Sequence, residues 1–258
     1  MHVPASGEEA ARIARELARA RPSAIVAAGG DGTVNMLAGV LAGSDTALGI
    51  IPLGTFNHFA RDVGIPLDDA AAIVALLQGR RRAIDVGEVN GRVFVNNSSI
   101  GLYPAMVRRR EKQERLGRGR WHAMLWAAHA VLRTHSFMHV TLELDGAAHR
   151  RRTPFVFVGN NVYEMAGLDI GRRSRLDAGV LCVYVTHGGG RLGLVRLALH
   201  ALTGRLERGK DFESATVTEL RIESRHQRLL VATDGEVAPL DLPLVYRVHP
   251  RALQILAP

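Results

Sequence analysis

One stretch constrains the fold of this chain more than any other: Ala24-Ile25-Val26-Ala27-Ala28-Gly29-Gly30-Asp31-Gly32-Thr33-Val34-Asn35. A short branched apolar run reads as a buried strand, glycines end it, and Val34 to Ala42 then has helical character. Strand, glycine turn and helix start is the arrangement in which backbone N–H groups and a helix N-terminus face an anion. With no Cβ at Gly29, Gly30 or Gly32, the main chain can approach a phosphate closely. Asp31 would repel that phosphate unless a divalent cation lay between them, which implies Mg²⁺. No Lys-Ser/Thr follows the glycines, so this is not a P-loop, and Asn35 stands where a dinucleotide fingerprint needs its third glycine. The spacing by itself also suits a plain turn.

Two other stretches supply the context. Gly29-Gly30-Asp31-Gly32-Thr33 followed by Asn35 resembles the GGDGT-x-N signature of the diacylglycerol kinase-like lipid kinases. That family takes in bacterial diacylglycerol kinases, YegS-type relatives and sphingosine kinases, with NAD kinases as a more distant branch. Pro52-Leu53-Gly54-Thr55-Phe56-Asn57 resembles its second signature and Thr233-Asp234-Gly235-Glu236 its third, in the family's order and across nearly the whole chain. The resemblance implies an α/β + β architecture: an α/β nucleotide-binding domain over residues 1–84, then a β-rich, sandwich-like lipid-substrate domain over 85–258. The active site is expected in the cleft between them. Relatives carry a further strand, helix and strand ahead of the first glycine turn, so the nucleotide domain reads as lacking its first strands or as starting upstream.

The resemblance also assigns residues. Gly29, Gly30, Asp31, Gly32, Thr33, Val34 and Asn35, with Gly54, Thr55, Asn57 and Arg61, are expected to bind ATP. Asp234 is expected to accept the proton of a lipid hydroxyl, with Glu236 holding Asp234, the metal or the ribose. Asp31 and Asp85 are expected near Mg²⁺. Leu176-Asp177-Ala178-Gly179 resembles an Asp-Asp-Gly turn that holds a structural Mg²⁺ in relatives; Ala178 replaces the metal-binding Asp, and Asp177 could substitute. His58 stands where many relatives have an Asp. Without the resemblance, Thr55 and Asn57 read equally as helix caps and Asp234-Gly235 as a hairpin turn.

Diacylglycerol is the default acceptor. A sphingoid or other amphiphilic alcohol is the first alternative, and a catalytically silent lipid-binding relative is the second. An NAD kinase would not need the stretch from Met106 to Leu132, where Arg108-Arg109-Arg110, Lys112, Arg115, Arg118 and Arg120 precede Trp121 and Trp126. A basic segment leading into tryptophans suits a membrane interface, although a core helix behind a charged turn has the same pattern. The resulting expectation is a cytoplasmic protein at the inner face of the membrane, with a lipid partner and a homodimer left open.

Composition narrows the classes further. The formal net charge of +8 invites a nucleic-acid partner, but aromatics are only 5%, thin for base stacking, and no nucleic acid is expected. Of 33 basic residues only Lys112 and Lys210 are lysine. The single cysteine, Cys182, lies in an apolar run and rules out a disulfide framework within one chain. No uncharged apolar run approaches the ~18–20 residues needed to span a bilayer. His122, His129 and His135 lack metal-ligand spacing.

Among local elements, Ser6 and Glu9 predict a capped helix through Ala20, and Asp68 to Gly79 a further helix. Arg80-Arg81-Arg82 reads as a solvated run. Thr46 to Ile51, Val93 to Ile100, Val140 to Leu144, Pro154 to Val158, Ala215 to Glu223 and Gln227 to Ala232 read as strands, and Arg191 to Leu206 as a helix.

Overall fold

The computed structural model describes residues 2–102, 104, 137–164, 172–186 and 212–258. The expected tryptophan segment over Met106–Leu132, the helix over Arg191–Leu206 and the three histidines at 122, 129 and 135 lie outside them.

The chain opens with α1 (Gly7–Arg19), whose N-cap Ser6 accepts a hydrogen bond from Glu9 N while the Glu9 carboxylate reaches back to Ala5 N. The first bond satisfies a donor that the first helical turn leaves open, and the second ties the residue ahead of the cap to the helix. Strands β1 (Ala24–Gly29) and β2 (Ala47–Pro52) then pair in parallel, and α2 (Asp31–Leu41) crosses between them. Val34, Leu37, Ala38 and Leu41 turn the buried face of α2 into a core with Ile25, Ala27, Leu48 and Ile50. Two short helices follow, α3 (His58–Asp62) and α4 (Asp69–Gln78), the latter capped by the Asp68 carboxylate on Ala71 N.

From there the chain is β-rich: β3 (Arg80–Val89), β4 (Arg92–Phe94), β5 (Asn97–Gly101), β6 (Met138–Leu144), β7 (Ala147–Thr153), β8 (Phe155–Asn160), β9 (Leu181–Thr186), β10 (Phe212–Val217), β11 (Glu219–Ser224), β12 (Arg228–Thr233), β13 (Glu236–Asp241) and β14 (Leu244–Ala257). One sheet runs β1-β2-β14-β11-β6-β7, with β3 also on β14 and β4 on β3; the other runs β10-β9-β8-β5-β12-β13. Their facing sides enclose a second core that includes Phe94, Ile100, Val158, Leu181, Leu220, Val231 and Tyr246. This is the expected α/β unit followed by a β-rich unit.

Two local expectations need correction, and a third, the solvated arginine run, needs completing. Arg80–Arg82 is strand: the side chains are exposed, but the backbone pairs with Ile255–Ala257 of β14. The strand expected over Val93–Ile100 is broken at Val95–Asn96, where the chain leaves the first sheet as β4 and joins the second as β5. The strand expected over Ala215–Glu223 is likewise two strands in different sheets, divided at Thr218. Thr218 is held at that step by Asp145, whose carboxylate accepts from Thr218 N, Thr218 Oγ1 and Glu219 N.

The two units are continuous. Strand β14 pairs with β11 near Leu244–Arg247 and reaches β2 at Ile255 opposite Leu48. Leu253, Ile255 and Ala257 belong to the first core, as does Leu176 from the segment between β8 and β9. The boundary expected after residue 84 therefore falls inside β3, a strand shared along its length with β14.

Candidate active site

The first glycine turn forms the junction between β1 and α2. Gly30 is the N-cap of α2 and offers no side chain to its amides, so the first-turn N–H groups remain available to a ligand. A Cβ on Gly29 would sit 2.6 Å from Thr33 Oγ1, so this turn closes only around glycine. Val34 faces the core and can contribute to a ligand only through its main chain. The Asn35 side-chain oxygen is buried with no hydrogen-bond partner, an orphaned polar atom on the helix that begins at the turn.

The second turn, after β2, is held by Asn57. This residue adopts a left-handed conformation, φ 50°, which Asn tolerates better than most side chains. Its Oδ1 accepts from Gly54 N at 3.0 Å, and its Nδ2 donates to Gly54 O at 2.8 Å and Pro52 O at 3.2 Å. The two turns touch through their backbones: Leu53 N donates to Gly29 O, and a Cβ on Gly54 would lie 2.4 Å from Gly30 Cα. Asp31 joins them again by accepting from Phe59 N at 3.3 Å. Thr55 and Arg61 are exposed beside this pair of turns, and the rings of Phe56 and His58 stack at 5.5 Å.

The third motif meets the first. Asp234 and Gly235, at φ 46° and 89°, form the tight turn between β12 and β13. Glu236 leaves that turn exposed, its Oε1 3.8 Å from where a Cβ on Gly32 would stand. The Asp234 carboxylate points the other way, inward. Its Oδ2 accepts from Val95 N at 2.7 Å, and its Oδ1 from Asn96 N and Asn97 N, both at 2.9 Å. This carboxylate thus holds three successive amides at the step between β4 and β5. Burial pushes the Asp234 carboxyl up to about 6, against the pull of the three amides and of Arg173.

The carboxylates expected around metal do not converge. Both oxygens of buried Asp85 are taken by backbone donors, Gly179 N at 2.6 Å and Arg251 N at 2.8 Å. Asp177 accepts from Arg175 Nε at 3.3 Å. The turn over 176–180 is closed instead by direct bonds: Asp85 N to Leu176 O, Ala178 N to Asn161 Oδ1, and Asn161 N to Val180 O. No group of three or more His, Cys, Asp or Glu among the described residues could hold a metal ion. At this turn Val180 O accepts from Asn161 N and Asp177 from Arg175, so direct bonds occupy two of the donors that a structural Mg²⁺ would use.

Sequence reasoning missed Arg173. Its side chain is fully buried and pairs with Asp62 at the end of α3, which is only 9% exposed. It lies in an arginine-rich stretch, and its partner is 111 residues away, so no local pattern marks it. Tyr163 lies under the guanidinium at 5.4 Å and donates its hydroxyl hydrogen to Asn96 O.

Residues 2–89 match the family profile described as the diacylglycerol kinase catalytic domain, and residues 99–257 the one described as the YegS C-terminal NAD kinase beta sandwich-like domain. A probable lipid kinase YegS-like protein of Pseudomonas aeruginosa is 48% identical over 96 residues, 36% of this chain and 32% of the relative. A Chromohalobacter salexigens protein of the same description is 29% identical over 243 residues, covering 89% of this chain and 75% of the relative. The crystal structure of a diacylglycerol kinase from Bacillus anthracis superposes on all of this chain and 84% of its own, with a TM-score of 0.72 at 22% identity, a likeness of fold. The alignment with the Pseudomonas relative thus spans about a third of that protein's length.

Proposed function

The chain belongs to the family that joins a diacylglycerol kinase catalytic domain to a YegS-type C-terminal domain, and on that premise we propose that it is an ATP-dependent lipid kinase. The observation that carries the reading is the approach of Glu236 to the Gly32 end of α2. Phosphoryl transfer is mostly positioning and charge neutralisation, so it needs an anion cradle facing a carboxylate. The first-turn amides of α2 supply the cradle, and exposed Thr55 of the second turn stands beside them, the Leu53 and Gly54 amides being engaged by Gly29 O and Asn57 Oδ1.

In the proposed reaction a lipid hydroxyl oxygen forms a bond to the γ-phosphorus as the bond to the β,γ-bridging oxygen breaks. ADP leaves, and the hydroxyl proton passes to a carboxylate. Three of the roughly four lone-pair positions on Asp234 are occupied by amides. We therefore assign the proton to exposed Glu236 and make Asp234 the residue that fixes the turn carrying it, a change from the expectation that Asp234 takes the proton itself. Mg²⁺ carried by the nucleotide would neutralise phosphate charge, and Asp31 is the carboxylate at that turn. Diacylglycerol is the proposed acceptor, met at the inner face of a membrane by a cytoplasmic protein. No helix among the described residues is long and apolar enough to cross one.

Radiolabel transfer from γ-labelled ATP into a mixed-micelle panel of diacylglycerol, sphingoid base and monoacylglycerol tests this. The expected result is label in diacylglycerol, with Glu236→Gln folded but at least ~100-fold slower, the loss typical of a removed general base. Label in a sphingoid base alone would move the acceptor. No label in any lipid from folded protein with Mg²⁺ would leave a lipid-binding protein without kinase activity.

A further inference from the structure

Arg173–Asp62 is the only ion pair among the described residues in which one side chain is fully buried. Of the described pairs, it also is the one that ties a helix of the α/β unit to the segment between β8 and β9. We propose that Arg173 is a positioning residue, whose guanidinium fixes the second glycine turn and the Asp234–Glu236 turn in one relative placement.

Arginine has five N–H donors, and all five are accounted for here. Nε and Nη2 both donate to Asp62 Oδ2, at 2.9 and 2.7 Å. Nη1 donates to Val95 O at 2.6 Å and Asn160 O at 3.0 Å, and Nη2 also to Asn96 Oδ1 at 2.8 Å. The peptide group between Val95 and Asn96 therefore has Arg173 on its carbonyl and the Asp234 carboxylate on its N–H. A cation and an anion at opposite ends polarise one peptide and hold it from both sides. On the other side of Arg173, Asp62 closes α3, a five-residue helix whose N-cap is the Asn57 that shapes the second turn. The path from one turn to the other thus crosses one short helix, one guanidinium and one peptide. Lysine, with three donors and a point charge, cannot reproduce the fork.

An ion pair that only stabilised the core would lower the melting temperature and leave the folded enzyme's turnover alone. The proposal predicts more than that. In Asp62→Asn, amide exchange is expected to rise at residues 57–62 and, although the substitution is remote from them in sequence, at 95–97. For the kinetics the inference rests on the lipid-kinase reading: kcat is expected to fall about tenfold or more, with the ATP KM within about threefold, because misplacement costs the aligned state more than binding. Arg173→Lys should show the same pattern, which keeps the question decidable if one variant does not fold. Unchanged exchange at 95–97, or an unchanged kcat beside a lowered melting temperature, would overturn the positioning role. A wild-type protein without turnover would remove the kinase reading, and the exchange comparison would then decide the proposal alone.

Discussion

The contact between the two glycine turns can be tested with one methyl group. Gly54 does not have the positive φ that excludes other residues, so its backbone would accept alanine. Its surroundings would not: the added Cβ would stand 2.4 Å from Gly30 Cα, 2.7 Å from Asn57 Oδ1 and 3.4 Å from Gly30 N. The Gly30 Cα is backbone and cannot rotate away. Carbon contacts settle near 3.5–4 Å, so the turns must separate by about 1 Å. Overpacking of this kind costs about 1–3 kcal/mol. For a chain of this size each kcal/mol lowers the melting temperature by roughly 2–4 °C, so a fall of about 2–12 °C is expected. The larger effect should be on phosphate binding, since both turns move away from a shared anion. Calorimetric titration with ATP is expected to show at least tenfold weaker binding, about 1.4 kcal/mol. Gly7→Ala in α1 is the control, because its Cβ would meet nothing within 4 Å. A Gly54→Ala protein with wild-type melting and ATP affinity would refute the reasoning that these two turns form one cradle.

Two further outcomes follow from the buried carboxylates. Because burial raises Asp234 to about 6, the folded state holds its proton more tightly than the unfolded chain between about pH 4 and 6. Its contribution is full below pH 4 and is lost as pH rises through 6, a change of about 3 kcal/mol for a shift of roughly two units; denaturant titrations from pH 4 to 7 should show that slope in the wild type and not in Asp234→Asn. Asp85→Ala takes the acceptor from Gly179 N and Arg251 N at a partly buried site, at about 0.5–1.5 kcal/mol each, so the melting temperature should drop while EDTA leaves the wild-type value where it was. A melting temperature that fell on chelation would restore the structural metal at the 176–180 turn.

What could be read from the sequence was whatever depends on near neighbours. The Ser6–Glu9 cap, the Asp68 cap, the glycine turn between β1 and α2 and the Asp234-Gly235 hairpin all follow from residues a few positions apart. The convergence of Gly32 and Glu236 was reached only through the family resemblance, because no local signal links positions 204 apart. Arg80–Arg82 is solvated as expected, but its strand pairing was not legible, because strand pattern is read from side chains and here the backbone partner in β14 decides. Val93–Ile100 looked like one strand because its residue types carry no trace of the carboxylate that holds the amides at the break. Asp85 shows the same limit from the other side: its residue type suits a metal, but its oxygens are taken by the amides of Gly179 and of Arg251, a bulge residue in β14.

The reach of β14 bears on how the protein is made. Leu253, Ile255 and Ala257 complete the core built by β1, α2 and β2, yet they emerge from the ribosome some two hundred residues after Pro52. At about 5–20 residues per second, the nascent α/β unit waits roughly 10–40 s for its missing strand. During that interval the β2 edge, which will take Ile255 beside Leu48, has its hydrogen-bonding groups open to any other extended segment. The last step in folding of the phosphate-binding half therefore waits on the synthesis of β14. A translation pause between β2 and β14 would lengthen the window in which the chain is most open to aggregation.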